Sequence, residues 1–306
     1  MSDPLLLAIV GPTGSGKTAL SLALAEELNG EIVSCDSVSI YRGMEIGSAK
    51  PTAAERARIP HHMLDVADPS EAYTAGDYSR AGREVLADLH SRGKTPIVAG
   101  GTGLYLRALL DGLSPVPPRD EELRKRLRHS VQRHGDAHLH SLLSRIDPKA
   151  AARIHANDQS KLLRAVEISL LERRPLSAQF HAAPPEPLKE FRIVKIGLTP
   201  PRAILYQRLD TRAAEMFTNG LVEETRSLIA RYGKDCRALT SLGYTQAVAE
   251  INGTLTHEQA VASAQQGHRN YAKRQLTWFR AEPDIHWIED FGAPSLKRAA
   301  EIIQSL

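Results

Sequence analysis

Along the first third of the chain, short apolar runs alternate with amphipathic stretches of helical period. Leu5–Val10 is an unbroken apolar run, too short for a stable helix and the right length for a buried strand. Residues 18–28 place Leu20, Leu24 and Leu28 at steps of four, which is one face of a helix. Residues 31–36 predict a second strand, and residues 76–90 an amphipathic helix stopped at Arg92-Gly93. Residues 95–99 form another buried strand that runs into Gly100, Gly101, Thr102 and Gly103. Strand and helix in alternation predict an α/β fold, a parallel sheet joined by right-handed crossovers.

The pattern changes near Pro115. The Pro-rich stretch 114–118 breaks the alternation, and helical patterns follow without strands at 120–133, 137–145, 148–154 and 159–172. A second Pro-rich stretch, 183–187, closes this region. Residues 116–188 therefore read as an all-helical insertion, and 1–115 with 189–306 as the core. Residues 192–198 return to a strand pattern, Pro201 opens a helix reaching Thr218, and 284–288 suggest a last strand among helices. His61-His62 reads as the start of a strand. No repeat or low-complexity tract interrupts the chain.

Composition narrows the class. The 306 residues are 42% hydrophobic and 25% charged, ordinary for a soluble globular protein. No apolar run is long enough to span a bilayer, and Leu5–Val10 leads straight into glycines rather than a cleavage site, so a cytoplasmic protein is expected. Two cysteines, Cys35 and Cys236, exclude a disulfide framework. His134 and His138 have the spacing of helical metal ligands, but Gly135-Asp136 breaks the helix between them, and no structural zinc is expected. A net charge of +3 is too small to establish nucleic-acid binding by itself.

The most specific local signal follows the first strand. Gly11, Pro12, Thr13, Gly14, Ser15, Gly16, Lys17 and Thr18 match the phosphate-binding pattern G-x-x-x-x-G-K-[ST], with a strand before and a helix after. Glycines let successive backbone N–H groups turn toward an anion, and the helix N-terminus adds its positive end. Lys17 can neutralise phosphate oxygens, and Thr18 can ligate Mg²⁺. Such a loop sees a diphosphate and does not name the reaction. ATP-dependent phosphoryl transfer usually adds an acid at the end of a neighbouring strand to assist Mg²⁺. The strand 95–99 ends instead in Gly-Gly-Thr, and the acid that does follow a strand is Asp36.

Four motifs occur in order: the P-loop; Asp36 to Pro51, beginning Asp36-Ser37-Val38-Ser39; Val98 to Tyr105; and Lys273-Arg274-Gln275-Leu276-Thr277-Trp278-Phe279-Arg280. Together they resemble the bacterial tRNA dimethylallyltransferases, or isopentenyl-tRNA transferases, over nearly the whole chain. The resemblance implies a P-loop NTPase-like core holding dimethylallyl diphosphate in place of a nucleotide. The implied reaction moves the dimethylallyl group to the exocyclic N6 amine of the adenosine 3′ to a tRNA anticodon. It implies Asp36 as general base, with Thr102 beside it in the catalytic set, and the P-loop with Arg208 around the diphosphate. Asp36, Ser37, Val38, Ser39, Thr102 and Arg124 match tRNA-contact positions. So do Lys161, Leu162, Leu163, Arg164 and Ala165, where the family more often has Pro-Gln-Arg in place of Gln159-Ser160-Lys161. Thr240, Ser241, Leu242, Gly243, Tyr244 and Thr245 match a segment whose flanking positions are usually basic, and 273–280 match a late tRNA-binding run. On that run Arg269, Lys273 and Arg280 share one helical face, whereas Trp278 falls on the other side and reads as core. Mg²⁺ is the implied cofactor, tRNA and dimethylallyl diphosphate the implied partners, and a monomer the expected state. Two readings compete: a P-loop kinase, disfavoured by the missing second acid, and a non-catalytic RNA-binding protein, which has no need of Asp36.

Overall fold

A computed structural model describes residues 3–305. Six parallel strands form one sheet in the order β3-β2-β4-β1-β5-β6: β1 (Leu5–Val10), β2 (Gly30–Cys35), β3 (His61–His62), β4 (Thr95–Gly100), β5 (Arg192–Leu198) and β6 (Ile285–Ile288). β1 is buried on both faces. Its even residues, Leu6, Ala8 and Val10, join one apolar cluster, and Leu7 and Ile9 join another. This is why the run shows no polar alternation.

Leu20 and Leu24 of the P-loop helix (Lys17–Glu27) cover one face of the sheet, with Ala299 and Ile302 of the last helix (Leu296–Ser305). Tyr78, Leu86 and Leu89 of helix Ala75–Ser91, Leu106 and Leu109 of helix Gly103–Leu110, and Phe279 of the long helix His257–Arg280 belong to the cluster on the other face. Among the described residues no helix is long and apolar enough to cross a membrane.

Two compact units result: Met1–Leu110 with Leu188–Leu306, and Asp111–Pro187. The second is helical throughout, with Leu127, Leu139, Leu143, Leu162, Val166 and Leu176 in its core. Its helices Glu121–His134, His138–Ile146 and Gln159–Leu171 lie within a residue or two of the sequence expectation at each end, as helix ends commonly do. The helix expected at 148–154 is only Pro148–Ala151. Asp147 caps it by accepting from Ala150 N–H at 3.0 Å, but Ala152, Arg153 and Ile154 run off into turns. Helices Ala53–Arg58 and Leu176–Ala182 had no strong apolar period to announce them. The first did carry a signal, the capping box between Thr52 and Glu55.

Candidate active site

The strand order decides where the site lies. β2, β4 and β1 are adjacent, so the loops leaving their carboxyl ends converge. These loops carry Asp36, Gly101-Thr102 and the P-loop. They border a cavity of about 330 Å³ lined by Thr13, Gly14, Gly16, Lys17, Thr18, Asp36, Gly101, Arg212 and Gln275, among others.

The P-loop takes its shape from Gly16, whose φ of 88° is left-handed and puts the helix N-terminus directly behind Lys17. Lys17 Nζ donates to the carbonyls of Gly11 (3.1 Å) and Pro12 (2.8 Å). Burial lowers the Lys17 ammonium from 10.5 to about 8; nearby Asp36 pulls it back up, and Arg212 pushes it further down. Ser15 is fully buried, and its hydroxyl has no hydrogen-bond partner among the described residues. A half-buried lysine on the cavity wall, with its pKa brought down to about 8, is what a cradle shows when its anion supplies the missing charge partner.

Asp36 follows β2 in an Asx turn: Oδ1 accepts from Val38 N–H (2.8 Å) and Ser39 N–H (3.2 Å). No hydrogen bond among the described residues engages Oδ2, which is left to meet a ligand. Thr102 Oγ1 accepts from Ser37 N–H at 3.0 Å, so the two segments that the sequence paired are joined directly. Tyr271 reaches the same corner; burial raises its phenol, and Asp36 adds to the rise. Burial pushes the neighbouring Cys35 thiol up to about 12, which leaves it inert beside the site.

Several residues stand elsewhere than the sequence suggested. Arg208 does not line the cavity; its guanidinium lies 3.9 Å from the centre of the partly buried ring of Phe291. One helical turn on, Arg212 does line it and donates to Thr13 Oγ1 at 3.3 Å. Burial lowers the Arg212 guanidinium, although Asp36 offsets part of that. The signal for Arg212 was present, since it closes the same stretch, Tyr206 to Arg212, on the same helix face. Gln275, expected among the tRNA contacts, is 5% exposed and staples the cradle instead. Its Oε1 accepts from Thr13 N–H (2.8 Å), and its Nε2 donates to the Gly101 carbonyl (2.9 Å). His268, two turns earlier on the long helix, is buried beside Arg212. Burial brings it down to about 4, and its Nε2 has no partner among the described residues.

The expected tRNA segments divide by burial. Lys161, Thr240, Thr245, Lys273, Arg274, Thr277 and Arg280 are exposed, and Ser37, Val38, Ser241, Leu242, Leu276 and Trp278 are partly so. Leu162, Leu163, Ala165, Tyr244 and Phe279 are buried, so their side chains pack the protein; Gly243 is buried as well, and Ser39 is buried on the cavity wall. Arg124 and Arg164 both donate to the fully buried carboxylate of Glu167, at 2.9 Å and 2.8 Å. Arg269 is paired with Asp210, which leaves Lys273 and Arg280 as the open cations of the predicted face. Trp278 packs on the apolar cluster, with Arg107 4.6 Å over its ring.

Comparison with known proteins agrees with this architecture. The family model described as IPP transferase matches residues 39–282. The tRNA dimethylallyltransferase of Koribacter versatilis is 57% identical over all of both chains. The full-length tRNA isopentenylpyrophosphate transferase of Bacillus halodurans is 38% identical with a TM-score of 0.72, covering 98% of this chain and 96% of that one. A eukaryotic dimethylallyltransferase described as acting on tRNA superposes with a TM-score of 0.82 at 27% identity, covering 99% of this chain and 80% of that one. With its P-loop, the acid after β2 and this match over its length, the chain belongs to the tRNA dimethylallyltransferase, or IPP transferase, family.

Proposed function

We propose that this protein transfers a dimethylallyl group from dimethylallyl diphosphate to the exocyclic N6 amine of the adenosine 3′ to a tRNA anticodon. The observation that carries this reading is that Asp36 and the phosphate cradle border one cavity, while β4 ends without an acid. Phosphoryl transfer from ATP would call for such an acid.

In this reading the diphosphate lies against the P-loop amides, Lys17 and Arg212. The adenine amine attacks the allylic carbon as the bond to the diphosphate oxygen breaks. Negative charge grows on the leaving group where Lys17, Arg212 and the helix N-terminus already point. The amine is a weak nucleophile, because its lone pair is delocalised into the ring. Asp36 takes its proton through Oδ2, while the Asx turn at Oδ1 fixes the carboxylate. The target base must leave its stack to reach this cavity.

Mg²⁺ fits the donors present. Thr18 and Ser21 offer hydroxyl oxygens on the cavity wall, and Mg²⁺ typically takes one or two protein oxygens and completes its shell with phosphate and water. When bound it would neutralise charge on the departing diphosphate. The exposed Lys273, Arg274 and Arg280 would hold tRNA through its phosphates. We propose that the protein does this in the cytoplasm, as a monomer.

The test incubates the protein with dimethylallyl diphosphate, Mg²⁺ and undermodified tRNA and analyses the nucleosides by mass. Prenylated adenosine is expected; its absence would sink the reading. Asp36→Asn keeps the Asx acceptor and removes the base, so turnover should fall by about 10²–10⁴-fold with tRNA affinity unchanged. Unaltered turnover would remove Asp36 from the role of base.

A further inference from the structure

One carboxylate on the core unit has an arrangement that the reaction above does not use. Glu224 sits in the first turn of helix Leu221–Tyr232. It accepts from three successive backbone amides: Glu45 N–H at 3.1 Å, Ile46 N–H at 3.0 Å and Gly47 N–H at 3.4 Å. A fourth bond comes from the Tyr244 hydroxyl at 2.7 Å. Tyr244 is fully buried. Its ring lies so close to Gly47 that a Cβ there would stand 2.4 Å from it. Successive amides turned to one side make an anion-binding nest, and here the anion belongs to the protein.

The amides so held begin a segment that borders the cavity with Ser48, Ala49 and Pro51. Its far end is pinned as well. Lys50 donates to Tyr41 O (2.7 Å), Glu45 Oε1 (2.7 Å) and Asp65 Oδ1 (2.5 Å), and Arg56 binds the second oxygens of the same two carboxylates. The wall thus has two anchors. One is local to the segment, and the other reaches across to helix Leu221–Tyr232 and to Tyr244, which opens helix Tyr244–Ile251. Tyr244 is flanked by the exposed Thr240 and Thr245, in the segment matched to tRNA contact.

We infer that Glu224 and Tyr244 are positioning residues, which fix the cavity wall at 45–51 and register it with RNA engaged at 240–245. The inference rests on the proposed prenyl transfer. It explains why a segment matched to tRNA contact presents a buried tyrosine: the hydroxyl is directed at the carboxylate that shapes the donor's cavity. A general stabilising role predicts a lower melting temperature and nothing else. The positioning role predicts slower turnover with the cradle intact, because the P-loop is not held by Glu224.

The experiment uses the full chain with Glu224→Gln and Tyr244→Phe. Each is assayed for steady-state prenyl transfer to tRNA, for affinity toward inorganic diphosphate, and for hydrogen exchange at amides 45–47. Glu224→Gln should lower kcat by about a hundredfold and Tyr244→Phe by about tenfold, with diphosphate affinity within about twofold of wild type. Exchange at amides 45–47 should quicken in both. Tyr244→Phe removes one oxygen and carries the test if Glu224→Gln does not fold. Wild-type kcat in a folded variant overturns the inference, as does a parallel loss of diphosphate affinity or unchanged exchange at 45–47. A wild-type protein that prenylates nothing defeats the proposed function instead, and the exchange measurement then still decides whether Glu224 holds the wall.

Discussion

The cradle and the helical unit 111–187 both bury charge, and they treat it in opposite ways. In the helical unit the fully buried Glu167 is saturated. It accepts from Asp120 N–H at 2.8 Å, Arg124 at 2.9 Å and Arg164 at 2.8 Å, and Arg164 also ties down the Pro117 carbonyl. Around the cradle, Lys17 is brought down to about 8, and the Ser15 hydroxyl and His268 Nε2 lack partners. Saturated buried polar groups hold a fold together, whereas unsaturated ones oppose it unless something outside the chain completes them. The contrast holds for these two charges, Glu167 and Lys17, and not for every polar atom of the two regions, since Arg124 Nε, Gln159 Oε1 and Gln179 Oε1 of the helical unit also lack hydrogen-bond partners among the described residues. It also gives Arg124 and Arg164, which the sequence offered as tRNA contacts, a part in holding their own unit together.

The largest effect that could break this contrast is on stability. Glu167→Ala would leave two guanidiniums facing each other and the Asp120 amide unpaired, and should cost about 3–5 kcal/mol in denaturant unfolding. A loss near zero would mean that the carboxylate is dispensable and the contrast false. Lys17→Met should act in the other direction. The folded-state pKa of Lys17 lies below its unfolded value, so the charged form opposes folding at every pH below about 8, and this opposition fades as pH rises from 8 to 10.5. Removing the ammonium should therefore raise the stability of the ligand-free protein at pH 7 by about 1–3 kcal/mol. The same change should weaken diphosphate binding by about a hundredfold. A variant that is less stable and binds diphosphate normally would overturn the assignment of Lys17 to the cradle.

Much of this was legible in the sequence because it is local. β1 and the P-loop are contiguous and announce themselves through an apolar run, glycines and Lys17-Thr18. Asp36 was legible because it ends a strand, and strand ends of a parallel sheet face ligands. What could not be read was which turn of a face meets the cavity, or which side of a helix turns inward. Arg208 and Arg212 differ by one turn, and only the packing of their helix shows which one faces the cavity. Gln275 sits in a basic run that reads as a binding face, yet the 3.6-residue period turns it inward, next to Ala272 and Phe279, onto the cradle. Tyr244 lay in a recognised motif, but its partner Glu224 is 20 residues away, and the amides they hold belong to another segment altogether. Pairings across such distances leave no local trace.

The smallest effect is the sharpest discriminator, because it reads the state of Lys17 directly. With a pKa of about 8 in the free protein, Lys17 is mostly protonated at pH 7 and about half protonated at pH 8. A bound diphosphate raises that pKa, since it places negative charge against the ammonium. Binding should therefore take up about a tenth of a proton at pH 7, about half at pH 8 and most of one at pH 9. Titrating dimethylallyl diphosphate calorimetrically, without tRNA and in buffers of different ionisation enthalpy, separates this uptake from the binding heat. Affinity should weaken above pH 8 by up to about tenfold per unit, because the deprotonated amine must recapture its proton to bind. The terminal phosphate, with its last pKa at about 6, is still about a tenth protonated at pH 7, which offsets the small uptake there, but is ionised at pH 8 and 9, so the larger change comes from the protein. Lys17→Met should abolish the pH-dependent uptake, whereas Glu167→Ala, which touches only the saturated charge, should leave it unchanged. Equal uptake at pH 7 and pH 9 would show that the Lys17 pKa is not brought down to about 8 and that its charge is no less satisfied than that of Glu167.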